Sequence, residues 1–345
     1  MASDSRASPA HPRLRLDTRG AVGLAPLVAL ARARGLDPEP LLRNAGIAPT
    51  ILADPNASVA DERVHAFVTS LLERTNDPKL GLAAGRHYNL STFGLLGAVA
   101  AVTPSPREVV RLFVKYQHLT FTFFVLDFDE ASEQLVLVPD GDLGPLHRFY
   151  LDRDLSFVFH TARRLWPTDY RQMLKEFVFD YPTPPEAAAY RSYFGAPVRF
   201  SADCASVHID FAAAPPPSTI NPLGNSELNR QLESFAAIEA EGDIGQRTRH
   251  AVMMSVATRQ HLPTIDEIAP RLERSVRTLR RELSARGTSF REITDDVVAT
   301  LATKLLRDGS LSLDTIAERL GYAEPSSFMR AFRRITGHTV TSVRR

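Results

Sequence analysis

The sequence predicts an α+β N-terminal domain joined to an all-α C-terminal domain with two helix-turn-helix units. Three observations carry that reading. The chain from Arg247 onward holds 18 Lys and Arg against 11 Asp and Glu, a balance of +7, whereas the first 246 residues hold 23 against 29, a balance of −6. The stretch AAAPPPSTINPLGNSE, with three consecutive prolines, forbids regular structure and marks a linker beginning near Ala212. Beyond it a pattern is repeated: Thr264-Ile-Asp-Glu-Ile-Ala followed by Ser275 to Leu283, then Ser312-Leu-Asp-Thr-Ile-Ala followed by Pro325 to Arg334.

The chain has 345 residues, which at about 150 per domain gives two domains, each long enough to bury a core. Its 44% hydrophobic and 23% charged residues fit a globular protein. The longest apolar stretches, Ala21 to Ala31 and Phe93 to Val102, fall short of the roughly 18 residues a membrane span needs, so no membrane partner is expected. Residues 1–18 lack the apolar region of a secretory signal and read as a loose polar tail, which predicts a cytoplasmic protein. The single cysteine, Cys204, excludes an internal disulfide and agrees with a reducing compartment; it reads as a packed residue.

Within residues 19–211, Ala21 to Arg34 is dense enough in apolar residues for a buried helix stopped by Gly35. Ser58 and Asp61 form a cap signature before Val59, Val64, Phe67, Val68, Leu71 and Leu72, whose spacing of three and four gives one apolar face. Phe93 to Val102 and Pro106 to Tyr116 form a helical pair around the turn TPSP. Thr120 to Phe128 and Gln134 to Val138, rich in branched and aromatic residues and separated by DEASE, read as a hairpin. Leu146 to Trp166 returns to helix, and Phe177 to Tyr181, Val198 to Phe200 and Val207 to Phe211 read as strands. Residues 212–246 supply the linker and a connecting helix, and the reading is helical from Asn225 onward.

In the repeat, each copy opens on a hydroxyl residue suited to cap a helix, and Ile265, Ile268 and Leu272 correspond to Leu313, Ile316 and Leu320. In the second helix of the first copy Val276, Leu279 and Leu283 face inward, leaving Arg277, Arg280 and Arg281 outside. In the second copy Phe328, Phe332 and Ile335 face inward and Ser326, Met329, Arg330 and Arg333 outward. A helix of this kind fits the major groove of double-stranded DNA, where Arg makes two hydrogen bonds to guanine and Ser bonds several base edges. A helix with arginines on one side is commonly only a solvated face; two copies in register with a +7 balance favour DNA as the partner. Arg291 to Arg307 supplies a connecting helix of 17 residues, about 25 Å long at 1.5 Å per residue.

ERLGYAEPSSFMRAFRRITG (Glu318 to Gly337) resembles the signature of the AraC family of bacterial transcription regulators, and SVRTLRREL (Ser275 to Leu283) resembles that family's first reading helix. FGLLGAV, PSPREVVRLFVKY and FGAPVRF in the larger domain resemble the branch whose effector region is named after arabinose binding. The resemblance implies a DNA-binding domain over 247–345 with Arg277, Arg280, Arg281, Ser326, Met329, Arg330 and Arg333 facing bases. It further implies an effector-sensing and dimerisation domain over 19–211, and a regulator, an activator by the family's commoner behaviour. Its expected partners are RNA polymerase, a small-molecule effector and a second copy of the chain. Three departures stand out. Pro270 lies where the first scaffold helix normally continues and is expected to kink or stop it early. Val298 takes a position that is often basic, and Val340 one that is usually Pro.

The sequence carries no G-x-S-x-G turn, phosphate loop, dinucleotide fingerprint or H-E-x-x-H helix, so neither catalytic residues nor a cofactor are expected. His147, Asp152, Asp154 and His160 read as partly buried polar residues in preference to a metal site. The aromatic concentration around Phe121, Phe123, Phe124, Phe149 and Phe157 is either core packing or the lining of an apolar cavity. A cavity would suit a largely apolar effector, fatty-acid-like or an aromatic acid, with Lys115 or Arg148 as counter-charge. The alternative is a constitutive DNA-binding regulator whose N-terminal domain only dimerises.

Overall fold

The computed structural model describes residues 18–54, 57–214, 230–232, 244–308 and 311–344. Its N-terminal part is α+β and its C-terminal part is helical throughout. The predicted tail lies outside the described residues except for Thr18, which opens strand β1 (Thr18–Gly20) and pairs antiparallel with β2 (Ser58–Ala60). The expected Ala21 to Arg34 helix is a 3-10 turn (Ala21–Leu24) followed by α1 (Ala25–Ala33), with Pro26 in the first turn, where its missing N–H needs no partner. Helix α2 (Pro38–Asn44) follows. Ser58 does not cap the next helix, because its backbone is paired across to Gly20; α3 (Asp61–Thr75) starts from Ala60 without a side-chain cap. Its predicted face is correct, with Val64, Phe67, Val68 and Leu71 buried.

Helix α4 (Leu80–His87) lies directly on the long helix α7 (His147–Leu165), and two glycines allow it. A Cβ at Gly81 would stand 2.5 Å from the Phe149 carbonyl oxygen, and one at Gly85 would stand 2.4 Å from that of Arg153. Helices α5 (Gly94–Val102) and α6 (Pro106–Lys115) form the predicted pair. The hairpin is β3 (Phe124–Asp129) and β4 (Gln134–Pro139). Its first strand starts four residues later than expected: the Thr122 hydroxyl accepts from the Phe124 N–H at 3.0 Å, a local turn that competes with the strand ladder.

After α7 come α8 (Tyr170–Met173), β5 (Leu174–Val178), α9 (Ala187–Phe194), β6 (Val198–Arg199) and β7 (Ala205–Ile209). The five strands lie in the order β3-β4-β7-β5-β6, antiparallel except for β5 with β6. Of the predicted linker and connecting helix, residues 215–229 and 233–243 lie outside the described residues. Leu232 is buried against Leu96, Val99 and Tyr116.

The C-terminal part consists of α10 (Ile244–Arg259), α11 (Ile265–Arg271), α12 (Val276–Ala285), α13 (Phe290–Asp308), α14 (Leu313–Arg319), α15 (Pro325–Thr336) and α16 (Val340–Val343). These helices share an apolar core that also takes in Val125 and Val138 of the β3–β4 hairpin. The two parts of the chain therefore touch through that hairpin.

Candidate nucleic-acid interface and effector cavity

Helices α11 and α12 form the first helix-turn-helix unit, α14 and α15 the second. In the first, Thr264 and Glu267 cap α11 reciprocally, the Thr264 N–H donating to the Glu267 carboxylate at 2.6 Å. Ser275 caps α12 and Ser312 caps α14 with the same geometry, each hydroxyl accepting from the N–H three residues on at 3.1 Å. Pro270 does not shorten its helix: α11 and α14 are both seven residues long, and Pro270 falls in the last turn, next to the natural end. Val340 occupies the first position of α16, where proline would also fit, and Val298 is buried. Helix α13, 19 residues or about 28 Å, runs between the units and packs on both α10 and α15.

Packing decides which sides of α12 and α15 remain free. Leu279, Leu283, Phe328 and Phe332 are buried, and Val276 and Ile335 are partly so. Arg277, Arg280 and Arg281 on α12 are exposed, as are Ser326, Met329, Arg330 and Arg333 on α15. Among the described residues no carboxylate pairs with any of these five arginines; Arg330 only reaches the Ser327 hydroxyl at 3.3 Å. Ser326 donates to Glu324 at 3.2 Å. Other arginines nearby are held: Arg334 makes two bonds to Asp295, at 2.7 and 2.8 Å, and Arg274 reaches Glu282 at 3.2 Å. The structure thus separates arginines that brace the domain from arginines that face solvent on the two reading helices.

The basic C-terminal part also uses cations against the acidic body. Arg249 of α10, fully buried, pairs with Asp140 just after β4 and with Asp296 of α13 at 2.8 Å. Lys304 reaches Asp180 at 2.5 Å, Arg319 reaches Asp203 at 2.6 Å, and Arg307 pairs with Asp142. The Cys204 thiol sits at the same junction, donating to the Ala257 carbonyl at 3.3 Å, and burial pushes its pKa up to about 11, so it is a packed and protonated residue.

Burial acts to raise the Asp140 and Asp180 carboxyls, but Arg249 with His250, and Lys304 with His147, outweigh it and hold both well below the usual carboxylate range. Groups whose folded pKa is depressed contribute stability above their unfolded pKa and lose it as pH falls toward the folded one. The part of the interdomain contact that rests on these carboxyls is therefore expected to be present above the ordinary carboxylate range and to weaken as pH drops below about 4. Small-angle scattering of the full chain across that range checks this.

A cavity of about 110 Å³ opens inside the N-terminal part, between α6, α7, β3, β4 and β5. Of the residues expected to line an effector site, Phe121 and Phe157 do so. Phe123, Phe124 and Phe149 are buried in the core and are not part of its wall. Neither expected counter-charge reaches it: Arg148 is bound to Glu186 and the Tyr190 hydroxyl, both at 3.1 Å, and the Lys115 ammonium lies over the Tyr116 ring. The charges in the wall are instead Arg153 and Asp154, which sequence reasoning missed because adjacent helical residues give no periodic signal. The Arg153 guanidinium donates to Asp154 at 2.7 Å and to the Phe121 carbonyl at 3.0 Å.

The residues weighed for a metal face different partners. His147 bonds Asp180 at 2.7 Å, His160 bonds the Tyr193 hydroxyl at 2.8 Å, and Asp152 accepts from Tyr181 at 2.6 Å and Tyr190 at 2.5 Å. Burial pushes the Asp152 carboxyl up to about 7. Among the described residues no group of side chains is arranged to hold a metal ion, and no helix is long and apolar enough to cross a membrane.

Two reading helices on one helical domain, carried by an α+β domain with an internal cavity, define a DNA-binding transcription regulator of the two-domain type. Family profiles match both parts: the arabinose-binding domain of AraC transcription regulator, N-terminal, over residues 35–215, and a helix-turn-helix domain over residues 268–345. The chain belongs to the AraC family of transcription regulators. It is 26% identical over 315 residues to the ornithine utilization regulator of Pseudomonas aeruginosa, covering 90% of this chain and 91% of that protein. It is likewise 26% identical over 310 residues to the regulator VqsM of the same organism, covering 85% and 92%. The crystal structure of the regulator CdpR from Pseudomonas aeruginosa aligns over 94% of this chain and 98% of that one, at 21% identity and a TM-score of 0.44.

Proposed function

We propose that this cytoplasmic regulator binds DNA as a dimer and is controlled by a small apolar molecule in the N-terminal cavity, acting on RNA polymerase as an activator. Arg277, Arg280 and Arg281, with Ser326, Met329, Arg330 and Arg333, read base edges in successive major-groove segments. The observation that carries effector control is the hairpin β3–β4. Successive residues of a strand point to opposite faces, and here Leu126, Leu135 and Leu137 line the cavity while Val125, Val136 and Val138 pack with the DNA-binding domain. A ligand that moves one face of the hairpin moves the other.

The control is a population shift. The ligand biases how the DNA-binding domain sits on the hairpin, and it does so only by the difference in its affinity for the two arrangements. Ornithine, named in one relative's description, would need free charged partners, and the charges in the cavity wall among the described residues, Arg153 and Asp154, already hold each other.

The experiment is operator affinity of the full chain, by fluorescence anisotropy, with and without small apolar metabolites extracted from cells. Affinity is expected to change several-fold with extract in the wild type. The change is expected to disappear in Val136→Ala/Val138→Ala, which leaves the cavity wall intact. Affinity indifferent to every extract would favour the alternative, a constitutive regulator whose N-terminal domain only dimerises.

A further inference from the structure

We infer that the cavity selects an uncharged molecule about the size of one aromatic ring, carrying a single hydroxyl or carbonyl oxygen that bonds the Thr161 hydroxyl. The inference rests on the effector reading of the cavity and adds the chemical class of its ligand. Size comes first. At about 110 Å³ the cavity is comparable to the apolar cavity of about 150 Å³ that stays dry and accepts benzene. Its wall is chiefly aromatic and aliphatic, including Phe93, Phe113, Phe157 and Trp166.

Charge comes next. The polar groups in the wall are the side chains of Tyr88, Thr120, Thr122, Arg153, Asp154 and Thr161 and the Trp166 indole N–H; the Tyr88 hydroxyl donates to the Gly23 carbonyl at 2.8 Å. Arg153 and Asp154 neutralise each other at 2.7 Å, and the remaining Asp154 oxygen accepts from the Thr122 hydroxyl at 2.6 Å. The Thr120 hydroxyl donates to the Gln117 carbonyl at 2.6 Å. A carboxylate or ammonium entering here would be desolvated without a free counter-charge, which is costly enough to exclude it. This departs from the fatty or aromatic acid that the sequence suggested, because the cation expected to meet such an acid is elsewhere.

Among the hydroxyls of the wall, one is left over. The Thr161 hydroxyl, on the cavity side of α7, is 7% exposed and has no hydrogen-bond partner among the described residues. A helical threonine commonly donates to the carbonyl four residues back, as Thr75 does to Leu71 at 2.8 Å and Thr103 to Val99 at 2.8 Å. A buried hydroxyl without a partner carries an unmet bond that a ligand oxygen can complete, donating or accepting as the ligand requires.

The test uses the full chain with benzyl alcohol, toluene and benzoate, and reads binding by calorimetry and by the emission of Trp166, the single tryptophan of the sequence. Benzyl alcohol is expected to bind about tenfold more tightly than toluene, and benzoate more weakly than either. Thr161→Val, which keeps the shape, is expected to remove that tenfold preference while leaving toluene affinity within about twofold; Thr161→Ser is expected to restore it. Benzoate binding as tightly as benzyl alcohol, or an unchanged preference in Thr161→Val, would overturn the inference and leave the cavity as a candidate effector site. No binding of any of the three, with Trp166 emission unmoved, would remove the cavity from the effector reading altogether. Binding in the expected order without any change in operator affinity would uphold the ligand class and remove the control assigned to it.

Discussion

Arg249→Ala is expected to lower the stability of the full chain by about 3–5 kcal/mol. The guanidinium is fully buried and ties its own helix to Asp140 just after β4 and to α13, through Asp296 and, at 3.5 Å, the Thr300 hydroxyl. Removing it takes the guanidinium from the largely buried Asp140 carboxylate, which keeps His250 at 3.8 Å, and the desolvation already incurred is poorly offset. Arg249→Met combined with Asp140→Leu takes away both charges and fills the space, so most of the loss is expected to be recovered. Urea unfolding of the three proteins measures this; a loss below about 1 kcal/mol for Arg249→Ala, the range of exposed pairs, would mean that the domains are not docked through this residue.

The second large effect is on DNA. Arg281→Ala and Arg330→Ala are each expected to weaken binding to the preferred sequence by about 1–3 kcal/mol and to relax preference at one base position. Both guanidiniums lie on the exposed sides of reading helices with no carboxylate attached, so each is available for the two bonds guanine offers. Arg334 is the internal control. It lies on the same helix as Arg330 but is held by two bonds to Asp295, so Arg334→Ala is expected to leave base preference unchanged. Competition binding against single-base variants of the site checks all three, and uniform weakening on every sequence would assign Arg281 and Arg330 to phosphates.

The reading helices were legible in the sequence because their signals are local. Leu279 and Leu283, or Phe328 and Phe332, repeat at helical spacing; Ser275 caps α12 just ahead of the first pair, and Pro325 opens α15 just ahead of the second. The same holds for the buried face of α3. What stayed hidden depends on contacts between distant segments. Ser58 has the composition of a cap, but a strand forty residues upstream claims its backbone. Gly81 and Gly85 gain their meaning only from the α7 backbone against them. The charge division was visible and incompletely interpreted: Arg249, Lys304, Arg307 and Arg319 contribute to the +7 but serve the junction with the acidic body. The cavity wall was half legible, since Phe121 and Phe157 belong to an obvious aromatic run, whereas Thr161 is ordinary until its missing partner is seen.

The central claim is that α12 and α15 enter adjacent major-groove segments of a single duplex. Hydroxyl-radical footprinting of the full chain on a sequence selected from random DNA measures it directly. For each bound copy, two protected segments on one face of the helix, about one turn or 10 base pairs apart, are expected, one fading in Arg281→Ala and the other in Arg330→Ala. A single protected segment, or two that respond identically to both substitutions, would contradict it.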